Sequence, residues 1–441
     1  MAFGDERSRI AHLLRRAGFG ASQSELDAAV SSGYDATLEQ LLNPQDDHDA
    51  ADDILSQQQF DFGKYDDLQR WWLLRMRYTS RPLVEKLTLY WHGHLTSAAS
   101  KVGGKQLPLM KQQNDLFRSQ GLGSFHDLVL NVSKDPAMLI WLDGRQNHKS
   151  APNENYGREL MELFTLGIGN YTEDDVKAAA KAFTGWGLDA HLQFIFRPGD
   201  HDSSQKMFLG QTGNFNGDDV IDIILQQPAA PTFLATKLAV FFVSDPPDAG
   251  LVSDLANNLT SSNWDIKSTM RELFKSDAFS SQAAYHALIK SPTEFLVSTL
   301  RTLNVTTAGQ QMTLLNRLMG QELFNPPNVA GWPGGPAWIS TNTMLTRDNL
   351  ANGLATAMKP DSGFYLDPQA LLNLNPGAAV ADVVNGLAAI TVDSDLSASE
   401  QARLVQYVGA DPSSPFDFAQ QALQARGLLY LLLTTPEYSL N

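Results

Sequence analysis

The chain has 441 residues, a formal net charge of −16 and no cysteine. The missing thiols exclude disulfides, thiolate metal centres, iron–sulfur clusters and cysteine nucleophiles. The acidic balance argues against a nucleic-acid partner, because phosphate binding needs clustered Lys and Arg, whereas 43% hydrophobic residues supply a sizeable core.

The first residues, MAFGDERSRIAHLLRRAGFG, lack a basic segment followed by an apolar one, so they do not read as a secretion signal. On that ground a cytoplasmic location is expected. No apolar run approaches the roughly 18 residues that a membrane span needs, so no membrane insertion is expected.

Helical periodicity follows at 7–17, 22–30, 35–42, 66–78, 81–94, 107–119, 124–131, 136–142, 153–166, 172–184, 217–226 and 230–242. It continues at 248–258, 265–275, 281–289, 291–303, 308–319 and 347–357. Four starts carry an N-cap with a carboxylate three residues on: Ser22/Glu25, Thr172/Asp175, Ser291/Glu294 and Ser397/Glu400. Pro136 and Pro292 stand at first helical positions, where the missing N–H costs nothing.

Two stretches break the pattern. In 192–210, Phe194, Phe196, Met207 and Leu209 alternate around a Pro-Gly turn, which predicts an inserted β-hairpin. In 323–340, prolines and glycines forbid a long helix, and Val329, Trp332 and Trp338 anchor a packed loop of the kind that lines pockets. Composition changes near 358, where KPDSGFYLDPQ reads as a connector. Beyond it, helical segments are predicted at 367–374, 378–389, 397–408 and 416–435. The expected architecture is therefore mainly α. Residues 1–357 form a large multi-helical domain with the hairpin, and 358–441 a small helical C-terminal subdomain.

Three constellations could carry chemistry. The first is PNENYGRELMELFTLG, 152–167. At about 100° per residue, Tyr156, Leu160, Leu163, Phe164 and Gly167 share the core face, and Asn155, Glu159 and Glu162 share the adjoining flank. Glu154 and Arg158 have the i, i+4 spacing of an exposed ion pair. If Glu159 and Glu162 are buried together, repulsion raises one pKa and makes a candidate acid or base, or the pair holds a hard cation. The bland alternative is a helix flank tied to its neighbours.

The second is EKLTLYWHGHLTS, 85–97. On a strand His92 and His94 would share a face and chelate one metal. On a helix they diverge by about 200° and need unwinding at Gly93 to do so. The bland alternative is a core His94 and an exposed His92. The third is His201-Asp202 with Asp200 and Lys206, either an accessory site or ordinary turn chemistry. No nucleophile elbow, Walker loop, zincin motif or EF-hand loop occurs.

The chain resembles the bacterial family known as domain of unknown function 1800. The resemblance rests on HLLRRAGFGAS (12–22), RPLVEKLTLYWHGHLTS (81–97), KDPAMLIWLDG (134–144), PNENYGRELMELFTLGIGNYTEDDV (152–176) and AFTGW (182–186). It continues through HDSSQKMFLG (201–210), KSPTEFLVSTLR (290–301) and NPPNVAGWPGG (325–335), in family order over nearly the whole chain. It implies a largely helical fold and no agreed activity. It also implies export, which many family members' leaders signal, and a sulfatase-like protein encoded nearby as a partner. The family's polar positions fall on His92, His94, Asn155, Glu159, Glu162, His201 and Asp202.

The reading these observations favour is a metal-assisted or acid/base hydrolase-like enzyme, its site between helices 81–97 and 153–166. There Glu159, Glu162, His201 and Asp202 are catalytic, and Asn155, Arg158, Lys206 and Trp332 bind substrate. His92 and His94 hold a divalent cation. The alternatives are a non-catalytic scaffold for the sulfatase-like protein, and a carbohydrate-binding protein using its aromatic residues.

Overall fold

The computed structural model describes residues 5–44, 48–357, 364–372, 377–409 and 411–441. It is mainly α, with 23 helices among the described residues and two small two-stranded sheets. Ten helices frame the cores and the site: α1 (Glu6–Arg16), α2 (Tyr65–Tyr78), α3 (Pro82–His94), α4 (Asn155–Glu159), α5 (Glu173–Ala182), α6 (Ala229–Phe242), α7 (Pro292–Thr302), α8 (Thr341–Thr356), α9 (Val380–Val392) and α10 (Phe418–Leu433).

The helix starts follow their caps. Ser22, Thr172, Ser291 and Ser397 each close a reciprocal capping box with the expected carboxylate. Two expectations shift. Residues 281–289 form turns instead of a helix, with His286 in a left-handed conformation (φ 53°) that no helix interior accommodates. The helix expected at 347–357 starts six residues earlier, because Ser340 caps it.

The β insertion lies where alternation placed it, but it is built as two ribbons. β1 (Trp186–Leu188) pairs antiparallel with β2 (Phe194–Phe196), and β3 (Lys206–Phe208) pairs with β4 (Gln211–Gly213). Each half of the expected hairpin thus finds its partner outside the stretch that announced it.

Two large apolar cores flank α3. Leu83, Leu87, Tyr90 and Trp91 belong to one, with Tyr156, Leu160, Phe164 and Phe242. Leu89 belongs to the other, with Trp72, Phe295 and Phe324. α3 is therefore apolar almost all round, as a helix between two cores must be. The second core also contains Leu387 of α9 and Leu429 of α10, so the C-terminal helices bury their apolar faces beside α2 and α7. The first half of the expected connector, 359–363 of 359–369, and the end of the segment 367–374 lie outside the described residues.

One ion pair is locked inside. Lys86 of α3, 1% exposed, bonds Glu294 of α7. Burial acts to raise the Glu294 pKa, yet the Lys86 ammonium, its hydrogen bond and the Ser291 N–H hold it below the usual carboxylate value. No helix among the described residues is long and apolar enough to cross a membrane.

Candidate functional site

Because α3 lies between two cores, its two histidines face different neighbours. His92, 1% exposed, accepts a hydrogen bond at Nε2 from the Phe324 N–H at 3.0 Å. Its ring packs against Trp72, Phe324 and Trp332. His94 places Nε2 3.0 Å from the Phe164 carbonyl and stacks on Tyr90. A carbonyl only accepts, so Nε2 of His94 carries the proton and Nδ1 is its acceptor, whereas His92 needs the opposite tautomer. Burial lowers the His92 pKa to about 3. Burial, then the nearby Lys237 ammonium, lowers His94 to about 4 against the raising effect of the Phe164 carbonyl. Both rings are neutral at physiological pH.

The expected chelation by His92 and His94 is therefore corrected. α3 runs unbroken through Gly93 to His94, and one nitrogen of each ring is already committed to a different backbone group. Among the described residues no group of three or more His, Asp or Glu comes together in a metal-holding arrangement. His92 is also no exposed residue, since the loop beyond Phe324 covers it.

The glutamate helix ends unusually. After α4 the chain widens into a π-helical turn, Leu160–Thr165, and the Thr165 hydroxyl donates to the Leu160 carbonyl at 2.5 Å. Such turns recur at functional sites. As expected, Tyr156, Leu160 and Phe164 are buried, and Arg158 pairs with Glu154 at 3.2 Å. Arg158 also grips Glu173 through two bonds of 2.7 Å, so both terminal nitrogens of its guanidinium are engaged. Asn155 bonds Asp143 at 3.3 Å, and Glu162 accepts from the Tyr171 hydroxyl at 2.6 Å. Glu159 is half-buried, and burial, then the Glu162 charge, raises its pKa against the lowering effect of Arg158.

The third constellation resolves into turn chemistry. His201 Nδ1 lies 3.0 Å from the Thr184 carbonyl, and Asp202 accepts from the Ser204 N–H at 2.8 Å. Lys206 donates to the carbonyls of Asp202 and Ser204, at 2.5 and 3.0 Å. Asp200 instead pairs with His148.

What the fold does bring together is a cavity of about 320 Å³. Its walls are the end of α3, Leu163 of the π turn, α6, residues 288–294 and the 321–338 loop. His94 and Trp332 line it, and Glu159, Glu162, Asn155, Arg158, His201, Asp202 and Lys206 do not. Tyr90, Phe241 and Trp338 add aromatic surface, and Lys237, Asp245, Glu294 and Gln321 add polar groups. The polar set went unrecognised in the sequence. Lys237 had a signal, as the lone charge in the apolar run TFLATKLAVFF, and Glu294 had one as a capping residue.

The loop that carries Trp332 is fixed to α3. Thr96 donates to the Val329 carbonyl at 2.6 Å, and Ala99 N–H to the Phe324 carbonyl at 2.7 Å. Gly331 has φ 81°, and a Cβ there would stand 2.4 Å from the Gly93 carbonyl oxygen. Only glycine permits that approach, which holds Trp332 over the end of α3.

A family model described as "Protein of unknown function (DUF1800)" matches residues 12–440. The chain belongs to the DUF1800 family. No curated protein and no solved structure matches it.

Proposed function

We propose that this DUF1800 protein binds a small ring-shaped polar ligand, of which a sugar unit is the best-fitting class, in the cavity beside His94 and Trp332. The observation that carries this reading is the half-exposed indole of Trp332 in a wall that joins aliphatic and aromatic surface to the polar side chains of His94, Lys237, Asp245, Glu294 and Gln321. A pyranose has one apolar C–H face for an indole and a rim of hydroxyls for hydrogen bonds. Polar side chains in the wall are His94, Gln321, Asp245 and Lys237, with Gln321 Oε1 already accepting from the Thr293 N–H. The volume lies at the small end of the range for ligand pockets, which suits one sugar unit. The loop is tied down at Phe324 and Val329, just ahead of Trp332, which limits the order lost on binding.

The test is a glycan array followed by calorimetric titration of the best hit. Trp332→Ala should weaken binding at least about tenfold, the effect of roughly 1.4 kcal/mol. Binding that is unchanged in Trp332→Ala, or no binding to any glycan, would overturn the reading.

A second reading has its own observation. The raised pKa of Glu159, one turn from Glu162 on a π turn, suits a general acid in hydrolysis without a resident metal. It predicts that Glu159→Gln abolishes turnover of a hydrolysable glycoside while leaving its binding intact.

A further inference from the structure

Buried positive charge gathers where α1, α7 and α9 approach one another. Lys290, 3% exposed, donates to the Tyr438 carbonyl at 2.7 Å and lies over the Tyr438 ring. Arg347 donates to the Lys290 carbonyl at 2.8 Å, and Arg16 to the carbonyls of Val243 and Ala284. Arg15 pairs with Asp393, and Lys86 with Glu294. Lys290, Arg347 and Arg16 therefore find carbonyls where Arg15 and Lys86 find carboxylates. Nε and one further nitrogen of each of Arg15, Arg16 and Arg347 are buried with no hydrogen-bond partner.

Unmatched buried charge is strongly unfavourable, so such an excess calls for a counter-charge. A separate cavity of about 40 Å³ lies at the edge of this cluster, lined by Arg15, Lys290 and Asp393 together with Ser298 and Thr302, while Arg16 and Arg347 stand outside its wall. Its two cations share one carboxylate, and Asp393 also takes a hydrogen bond from Tyr285. The volume suits a halide with a water beside it and is too small for a metabolite-sized phosphate ester.

We propose that this cavity is a binding site for a small monovalent inorganic anion of halide size, held between the Arg15 guanidinium and the Lys290 ammonium. The anion clamps α1 and the start of α7 to the end of α9, alongside the Arg15–Asp393 ion pair. The site is distinct from the sugar cavity and does not depend on that reading.

Crystals of the full chain soaked in sodium bromide test it. The expected result is an anomalous peak between Arg15 and Lys290 that is absent in Lys290→Gln. An empty cavity in the parent, with bromide on the surface only, overturns the proposal whatever other measurements show. In solution, replacing gluconate by bromide at constant ionic strength should raise the thermal midpoint by about 1–2 °C at tenfold excess over Kd, and then saturate. Arg15→Gln should flatten that rise, and equal midpoints in the two salts for the parent would also overturn the proposal.

Discussion

The cavity beside His94 and the turn around His201 carry the same kinds of residue, and they differ in what those residues face. In the turn, His201, Asp202 and Lys206 are within a few residues of the backbone groups that satisfy them or reach back to Thr184. In the cavity, His94, Lys237, Gln321 and Trp332 come from α3, α6 and the 321–338 loop and front an open volume. A cluster close in sequence tends to be its own hydrogen-bonding solution, because short polar side chains pair with nearby backbone. A cluster assembled from distant segments around a void has capacity left for a ligand.

The contrast can be sharpened by substitution. The largest effect should come from the buried pair behind the cavity. Lys86→Met leaves the Glu294 carboxylate unpaired, and denaturant titration should show a loss of about 3–5 kcal/mol. A loss under about 1 kcal/mol would mean that water reaches Glu294. Next, His92→Ala removes the acceptor for the Phe324 N–H and the ring beneath Trp332. It should cost about 2–3 kcal/mol and weaken ligand affinity, and His92→Gln, which keeps an acceptor, should recover part of both.

A pH effect of similar size is expected from Lys290. Burial, then the Arg15 charge, lowers its pKa from the ordinary lysine value to about 7. Between pH 7 and 9 the unfolded chain therefore binds a proton that the folded chain does not. Stability should rise with pH across that window in halide-free buffer, by about 2 kcal/mol, and the rise should vanish in Lys290→Met. Trp332→Ala should change stability little while lowering affinity at least about tenfold. The smallest effect belongs to the turn. His201→Ala should cost about 0.5–1 kcal/mol and leave ligand affinity unchanged, because its ring contacts are local. A large loss of affinity in His201→Ala would erase the contrast.

Much of the fold was readable because its signals are local. The capping boxes at Ser22, Thr172, Ser291 and Ser397, the Glu154–Arg158 pair and the buried face of 153–166 each depend on residues within about two turns. The two β ribbons were half visible, since alternation marks a strand without naming its partner. The π turn at Leu160–Thr165 left no periodicity of its own in so short a stretch. The site was least legible. His94 and Trp332 were singled out, but their meeting with Lys237, Asp245 and Gln321 depends on long-range packing that a single chain's pattern does not encode. The His-x-His motif shows the converse. Its spacing suggested chelation, and the burial of α3 between two cores turned the rings to opposite tautomers and opposite sides.

The most direct test of the claim that the cavity is the ligand site is a crystal soaked in a mixture of simple sugars, read by difference density. The account predicts a ring against Trp332, within hydrogen-bond reach of His94 Nδ1 or Gln321, and none at the His201 turn. Sugar density at the turn or along the Glu159–Glu162 flank, with the cavity empty, would contradict it.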